Sequence, residues 1–337
     1  MRAVVLTDAP PALEVVDVVD PSPAADEVVV AVTACGICGS DLHVASVVGA
    51  PGTILGHEIA GTVEAIGTGV DPGDWRIGQA VAVRPFGGCG TCRWCLAGRA
   101  DHCDRFQLVG LDRPGGFAER LAVQARELFA LPASLVGPEQ ALVEPLAIAR
   151  RALRRTGDVT DQTVLVLGAG PIGLATIAWA RILGARTILA SDPSPSRRDL
   201  ALALGADAVV DPTADDPGVA TFAAVGQLAD AVVECTGRAD QIGRAMDHAA
   251  IDGRVTVVGI CITEAAIFPF TGLAKELDVR FSIYYGREDF VDTLAALDDH
   301  SLAPAAMLTE TISLDEVPER FDRLVRQPDG GKVAIVP

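Results

Sequence analysis

The chain has 337 residues, half of them hydrophobic and 21% charged, so it is long enough to form two domains and to bury a sizeable core. Its formal net charge of -18 opposes non-specific binding to nucleic acid or to anionic membrane surfaces, because like charges repel. Only two basic residues, Lys275 and Lys332, are lysine, a compositional bias with no mechanistic reading of its own.

The amino-terminal stretch MRAVVLTDAPPALEVV lacks a lengthy apolar segment and a small-residue cleavage site, so a cytoplasmic protein is expected. Up to about Glu144 the pattern is of short valine-rich runs punctuated by glycine and proline, among them DEVVVAVTACG, HEIAGTVEAIG and WRIGQAVAV. Runs of this length predict strands, and their density predicts a β-rich, barrel-like domain. Two segments there have metal-ligand character, CGICGSDLH and GHEIAG, although each by itself is a weak signal. Cys35 and Cys38 form C-x-x-C, but no thioredoxin-like context surrounds them, and Cys35 at the end of an apolar run reads as a core thiol.

The stretch CGTCRWCLAGRADHC carries Cys89, Cys92, Cys95 and Cys103 in the spacing C-x2-C-x2-C-x7-C. Thiolates packed so closely suit a closed, tetrahedral zinc site. A ferredoxin-type run would continue with x3-C-P, whereas seven residues intervene here and Asp104 follows. Reducing conditions would also favour metal thiolates over disulfides. His102 is set aside as a ligand.

Residues 163–180 carry no charge, the length of a membrane span, but TVLVLGAG is a β-branched run ending in glycines, and Pro171 and Gly173 open a new element. A buried strand, a tight turn and a helix are expected instead. Strands and helices then alternate, predicting a parallel doubly wound sheet, with Gly184, Gly205 and Gly253 ending three helices. Residues 211–218 read as a surface loop, Cys235 and Cys261 as core thiols at strand ends, and His248 and His300 as solvated.

Gly168-x-Gly170-Pro171-Ile172-Gly173 follows the first of these strands and opens a helix, the context in which the motif binds a dinucleotide pyrophosphate. Asp192, at the end of the second strand, can accept the ribose hydroxyls of an adenosine and would repel a 2′-phosphate, which favours NAD over NADP. Arg197 and Arg198 lie close enough to hold a phosphate if the loop turned that way. After Tyr285, a helical stretch, a strand, an amphipathic DEVPERFDRLVRQ and a final KVAIV run resemble the first domain more than the second. The expected division is residues 1–149 with 286–337, and 150–285.

Taken together and in order, the two ligand-bearing segments, the four-cysteine loop and the glycine fingerprint resemble the zinc-dependent medium-chain alcohol dehydrogenase family, particularly its sorbitol, butanediol and threonine dehydrogenase-like members. The resemblance implies an α/β protein, with a GroES-like catalytic domain and a Rossmann cofactor domain. It implies two zinc ions per chain, one structural and one catalytic, the latter held by Cys38, His57 and a carboxylate. Glu58 and Glu144 both match family positions for that carboxylate, and Glu144 is expected close to the metal with Glu58 as an alternating ligand. Ser40 would lie next to the substrate oxygen, His43 at the far end of a proton relay, and Asp41 behind His57, fixing its tautomer.

The activity implied is hydride transfer between a secondary alcohol or polyol, or the matching ketone, and NAD. Zinc accepts no electrons, so the dinucleotide carries the hydride. A dehydrogenase of amino alcohols or cyclic polyols, and a non-catalytic nucleotide-binding regulator, are the alternatives. The segments 44–53, 106–117 and 268–285 are expected to shape the pocket. The same resemblance implies a homodimer or homotetramer, and the acidic charge implies no nucleic-acid or membrane partner.

Overall fold

The computed structural model describes residues 1–8, 13–47, 49–327 and 330–337. Residues 9–12, in the amino-terminal stretch, and Val48, in the segment 44–53, lie outside the described residues.

The β-branched runs of the first part build a seven-stranded sheet. Its order is Leu308–Ile312, Lys332–Ile335, Glu27–Gly36, Glu58–Ile66, Ala80–Val83 and Leu128–Ala130, while Arg120–Gln124 pairs with Glu27–Gly36. The register matters for the site. Gly36 faces Glu58 across one ladder and Ala334 across the other, so the chain's late strand lies beside residues from its first sixth.

The second sheet has six parallel strands in the order Ala208–Val210, Thr187–Ser191, Thr163–Leu167, Ala229–Glu234, Ala249–Val257 and Asp278–Phe281. Thr163–Leu167 is buried along its whole length, which explains its uninterrupted apolar sequence. The order reverses between Thr163–Leu167 and Ala229–Glu234, and the carboxyl ends of these two strands flank the crevice typical of doubly wound sheets. Helix Val143–Thr156 packs against helices Pro171–Ile182 and Arg287–Asp298. Among the described residues no helix is long and apolar enough to cross a membrane, and residues 163–180 are mostly a strand, a turn and part of a helix.

Four local expectations need correction. Helix Pro217–Val225 begins inside the segment read as a loop; Asp216 caps it by accepting from the backbone N–H groups of Gly218 and Val219, a local bond that outweighs the Pro-Gly start. Gly253 ends no helix, because helix Ala239–His248 runs directly into strand Ala249–Val257 and Gly253 lies within that strand. His248 is buried rather than solvated, with Nδ1 3.7 Å from Asp216. Cys261 lies in a loop beyond the strand rather than at its end, half-buried with its thiol on the Thr263 carbonyl, whereas Cys235 directly follows strand Ala229–Glu234 and packs against the core as expected.

Candidate active site and metal centres

Strand Glu27–Gly36 ends in a tight turn, and helix Gly39–Val47 follows at once, so Cys38, Ser40, Asp41 and His43 fall within seven residues of one strand end. The turn is closed locally: the Cys38 N–H donates to Asp41 Oδ2 at 2.9 Å. The other Asp41 oxygen lies 3.1 Å from His57 Nδ1. That contact puts an N–H at Nδ1 and leaves Nε2 3.4 Å from Ser40 Oγ, where a bound metal would take the place of its proton. His43 is exposed, one helical turn beyond Ser40 on the same side of the helix.

The sulfur of Cys38, a ring nitrogen of His57 and a carboxylate oxygen of Glu58 all lie within 4.8 Å of one another. Glu144 is not in that group. It starts helix Val143–Thr156 and stands buried behind the cluster, near Glu58, His57 and Tyr285. Of the two carboxylates, Glu58 is the one grouped with Cys38 and His57 in this fold, because the Gly36–Glu58 register carries it into the cluster directly.

Glu58 is fully buried. Its Oε1 accepts from Lys332 Nζ at 2.6 Å, and Lys332, itself buried, also donates to the Ile37 carbonyl at 3.1 Å. Among the described residues its Oε2 has no hydrogen-bond partner. A Cβ at Gly36 would stand 1.9 Å from that oxygen, so only glycine leaves the carboxylate its place. An unpaired, buried carboxylate oxygen beside a thiol and an imidazole is the donor set of a zinc site with an open position.

Electrostatics agree with a cation at this point. Burial opposes a charged His57, but Asp41 and Cys38 outweigh it and hold its pKa well above the ordinary value. Burial likewise opposes charge on Lys332, and Glu58 more than offsets it, raising the pKa. Burial, with the charge of Glu58 adding to it, lifts Glu144 to about 7 against the pull of His57.

The four-cysteine loop closes on itself. Cys89 and Cys95 sulfurs are 4.0 Å apart and those of Cys92 and Cys103 3.9 Å, close to the roughly 3.8 Å edge of a tetrahedron with 2.3 Å zinc–sulfur bonds and far from a disulfide. Backbone N–H groups of Cys89 and Arg105 point at Cys103 Sγ, and that of Cys92 at Cys89 Sγ. The Thr91 hydroxyl and backbone pull Cys89 down to about 5, while burial pushes Cys95 up to about 12. His102 is outside this cluster, against Asp101 at 3.0 Å.

At the crevice, Gly168 adopts φ +89°, and a Cβ on Gly173 would meet the Gly168 carbonyl at 1.8 Å, so strand and helix approach as only glycine permits. A Cβ on Gly170 would meet nothing within 4 Å: its open side is where a pyrophosphate can rest, at the start of a helix led by Pro171 and half-buried Ile172. Asp192 is buried, and its two oxygens accept from the N–H groups of Ala169 and Ser194. Arg197 stands 3.8 Å from Asp192 and donates to the Gly330 carbonyl. Arg198 is held by the carbonyls of Asp192 and Pro193 and by Asp211.

Three residues escaped the sequence reading. Lys332 carried no signal beyond its rarity. Tyr285, fully buried, brings its hydroxyl toward Glu144, and Tyr284 (φ +53°) packs at a tilt against Phe106 at 4.7 Å and Phe86 at 5.3 Å between ring centroids. Of the segment 268–285, expected to shape the pocket, only this end faces the catalytic sheet; Phe268, Phe270, Leu273 and Phe281 are exposed around the outer strand of the parallel sheet.

Comparison with known proteins places this geometry among relatives. Residues 24–133 match the alcohol dehydrogenase GroES-like domain, and residues 171–299 match the zinc-binding dehydrogenase domain. The chain is 33% identical over 319 residues to a 2-dehydro-3-deoxy-L-galactonate 5-dehydrogenase of Pseudoalteromonas atlantica, covering 93% of this chain and 92% of the relative. A zinc-binding dehydrogenase of Sinorhizobium meliloti, solved with NADP, superposes with a TM-score of 0.91 at 32% identity, covering 100% of this chain and 99% of that one. Galactitol-1-phosphate dehydrogenase of Escherichia coli superposes with a TM-score of 0.92 at 29% identity over the whole of both chains.

Proposed function

This chain belongs to the zinc-dependent medium-chain alcohol dehydrogenase family, a zinc-dependent oxidoreductase of alcohols or polyols, and from that premise we propose an NAD-linked dehydrogenase of a secondary alcohol or polyol. The observation that carries the reading is the buried Cys38–His57–Glu58 cluster, with one carboxylate oxygen unpaired and the Ser40 hydroxyl 3.4 Å from His57. Zinc bound there supplies Lewis-acid polarisation of the substrate oxygen. Asp41 holds the His57 tautomer, and Lys332 balances the Glu58 charge. Ser40 would accept the hydroxyl proton of the substrate, and exposed His43, one helical turn further on, would release a proton to solvent. Glu144 supports the cluster from behind, and Cys89, Cys92, Cys95 and Cys103 hold a second, structural zinc.

The choice of NAD rests on Asp192 at the end of the second strand, whose buried carboxylate, held by the N–H groups of Ala169 and Ser194, would repel a 2′-phosphate. Arg197, 3.8 Å away, already donates to Gly330, and Arg198 is tied up by its own loop. The two functional units are residues 1–149 with 286–337, and 150–285. We place the protein in the cytoplasm, where reducing conditions keep its cysteines as thiols. It acts as a homodimer or homotetramer: strand Asp278–Phe281 is paired on one side only, and Ile260, Phe268, Phe270, Leu273, Phe281 and Ile283 around it are each more than half exposed, a patch suited to a second copy.

The test is formation of reduced dinucleotide by zinc-loaded protein across primary alcohols, secondary alcohols, vicinal diols, sugar alcohols and sugar acids, with NAD and with NADP, repeated with Cys38→Ala. Turnover of secondary alcohols or polyols that prefers NAD and vanishes in the variant is expected. A protein that holds about two zinc ions and binds NAD yet oxidises none of them would overturn the substrate assignment. Light scattering on the wild type and on Phe281→Lys reads the assembly; a monomeric wild type would remove the oligomer.

A further inference from the structure

Strand Ala229–Glu234 ends in a carboxylate that the proposed chemistry does not use. Glu234 has no exposed surface, and burial raises its pKa. Its Oε1 accepts three bonds from the turn that follows: from the Thr236 N–H at 2.6 Å, from the Thr236 hydroxyl, and from the Gly237 N–H at 3.2 Å. Its Oε2 has no partner and lies against Gly259, where a Cβ would be 2.8 Å from that oxygen and 2.2 Å from the Gly237 nitrogen. The Glu234 carbonyl in turn accepts from Val258 and Gly259. One residue thus joins the two turns, its side chain bonded to the turn after the fourth strand of the crevice and its carbonyl to the turn after the fifth.

The position of that turn gives the side chain its purpose. The Cys235 N–H donates to the Leu167 carbonyl, and a Cβ on Gly168 would stand 2.8 Å from the Thr236 methyl, so the residues 235–238 abut the glycine loop across the point where strand order reverses. A dinucleotide whose adenosine ribose lies at Asp192 and whose pyrophosphate lies at Gly170 must lay its other half over the ends of the strands beyond this point. That half crosses the turn built on Glu234.

We infer that Glu234 is a positioning residue for the nicotinamide half of the dinucleotide, acting through the turn 235–238; this rests on the dinucleotide reading above. Burying a carboxyl group where a neutral acceptor would cap the turn is costly, and three bonds on one oxygen hold three donors at fixed angles in a segment where glycine φ values alone (Gly237 at +69°) would leave freedom. The turn is set before the ligand arrives, so less order has to be imposed on binding.

The experiment compares NADH, NADPH and ADP-ribose, which lacks the nicotinamide, as ligands of the zinc-loaded full chain, by calorimetry and by the emission of bound reduced nicotinamide. In Glu234→Ala the reduced dinucleotide is expected to weaken about tenfold and its emission to shift back toward the free cofactor, while ADP-ribose stays within about twofold. Glu234→Gln keeps an accepting oxygen and recovers most of the loss. If Glu234→Ala does not fold, Thr236→Val, which removes one of the bonded donors, reads the same ratio. Equal weakening of all three ligands, or of none, overturns the inference. Wild-type protein that binds neither dinucleotide nor ADP-ribose would instead overturn the dinucleotide reading, and this inference with it.

Discussion

The two thiolate-bearing clusters of this chain are built in opposite ways. In the four-cysteine lobe every ligand comes from one loop, Cys89 and Cys103 being 14 positions apart, and three of the four cysteines are half-buried. In the Cys38–His57–Glu58 cluster the ligands come from two separate segments, and the group that balances Glu58 comes from a third, 274 positions away. The lobe is supported by its own backbone N–H groups. The mixed cluster is supported by charges, Asp41 on His57 and Lys332 on Glu58, each nearly or fully buried. A site that only has to hold a cation can be local, whereas one that must keep a position open for substrate needs surroundings that fix each ligand from behind.

This contrast can be broken from the reactive side first. Cys38→Ala should lower turnover by at least about a thousandfold, with one metal per chain lost and the lobe's metal retained, as read by kinetics and metal analysis. Removing the counter-charge comes next. Lys332→Ala leaves a buried carboxylate unpaired and should reduce stability in metal-free protein by about 3 to 5 kcal/mol, measured by denaturant unfolding, and a second change, Glu58→Gln, should return much of it. An undiminished loss in the double variant would mean that Lys332 acts by packing and not by charge.

A smaller effect is written in pH. Burial raises Glu144 from an ordinary value of 4.5 to about 7 in the metal-free fold, so the native state holds a proton that the unfolded chain has released. The stability this contributes is fully present below about 4.5 and is lost as pH rises through about 7, a change of at most about 3 kcal/mol. Glu144→Gln should flatten the stability profile over that window, and a profile unchanged by the substitution would argue against the buried neutral form. The smallest effect on chemistry belongs to the lobe: Cys92→Ser should release one metal and lower the melting temperature by several degrees, while turnover of the folded enzyme stays within about threefold.

The same contrast explains what could be read from the chain. The lobe is legible because its spacing is its geometry, and the glycine fingerprint because each glycine answers a local need: a positive φ at Gly168, a close approach at Gly173 and open space at Gly170. The strands around Val28 and Val164 followed from β-branched runs. The order of Glu58 and Glu144 around the cluster did not, since it depends on the register between Gly36 and Glu58, which no local pattern records. Lys332 and Tyr285 were hidden for the same reason: their partners are remote in sequence. Helix Pro217–Val225 was missed because Pro-Gly is a turn signal unless a cap such as Asp216 outweighs it.

The place of Lys332 in the last strand of the first sheet also sets an order of events during synthesis. As the chain leaves the ribosome, Cys89 to Cys103 emerge within one short loop and can take up a cation while most of the protein is still unmade. Glu58 is made early too, but its counter-charge follows 274 residues later, after the whole parallel sheet has been translated. Until strand Lys332–Ile335 slots in beside Gly36, the reactive cluster has an unbalanced acid in an unfinished wall. The Glu58 counter-charge therefore arrives only when the two ends of the first sheet have met.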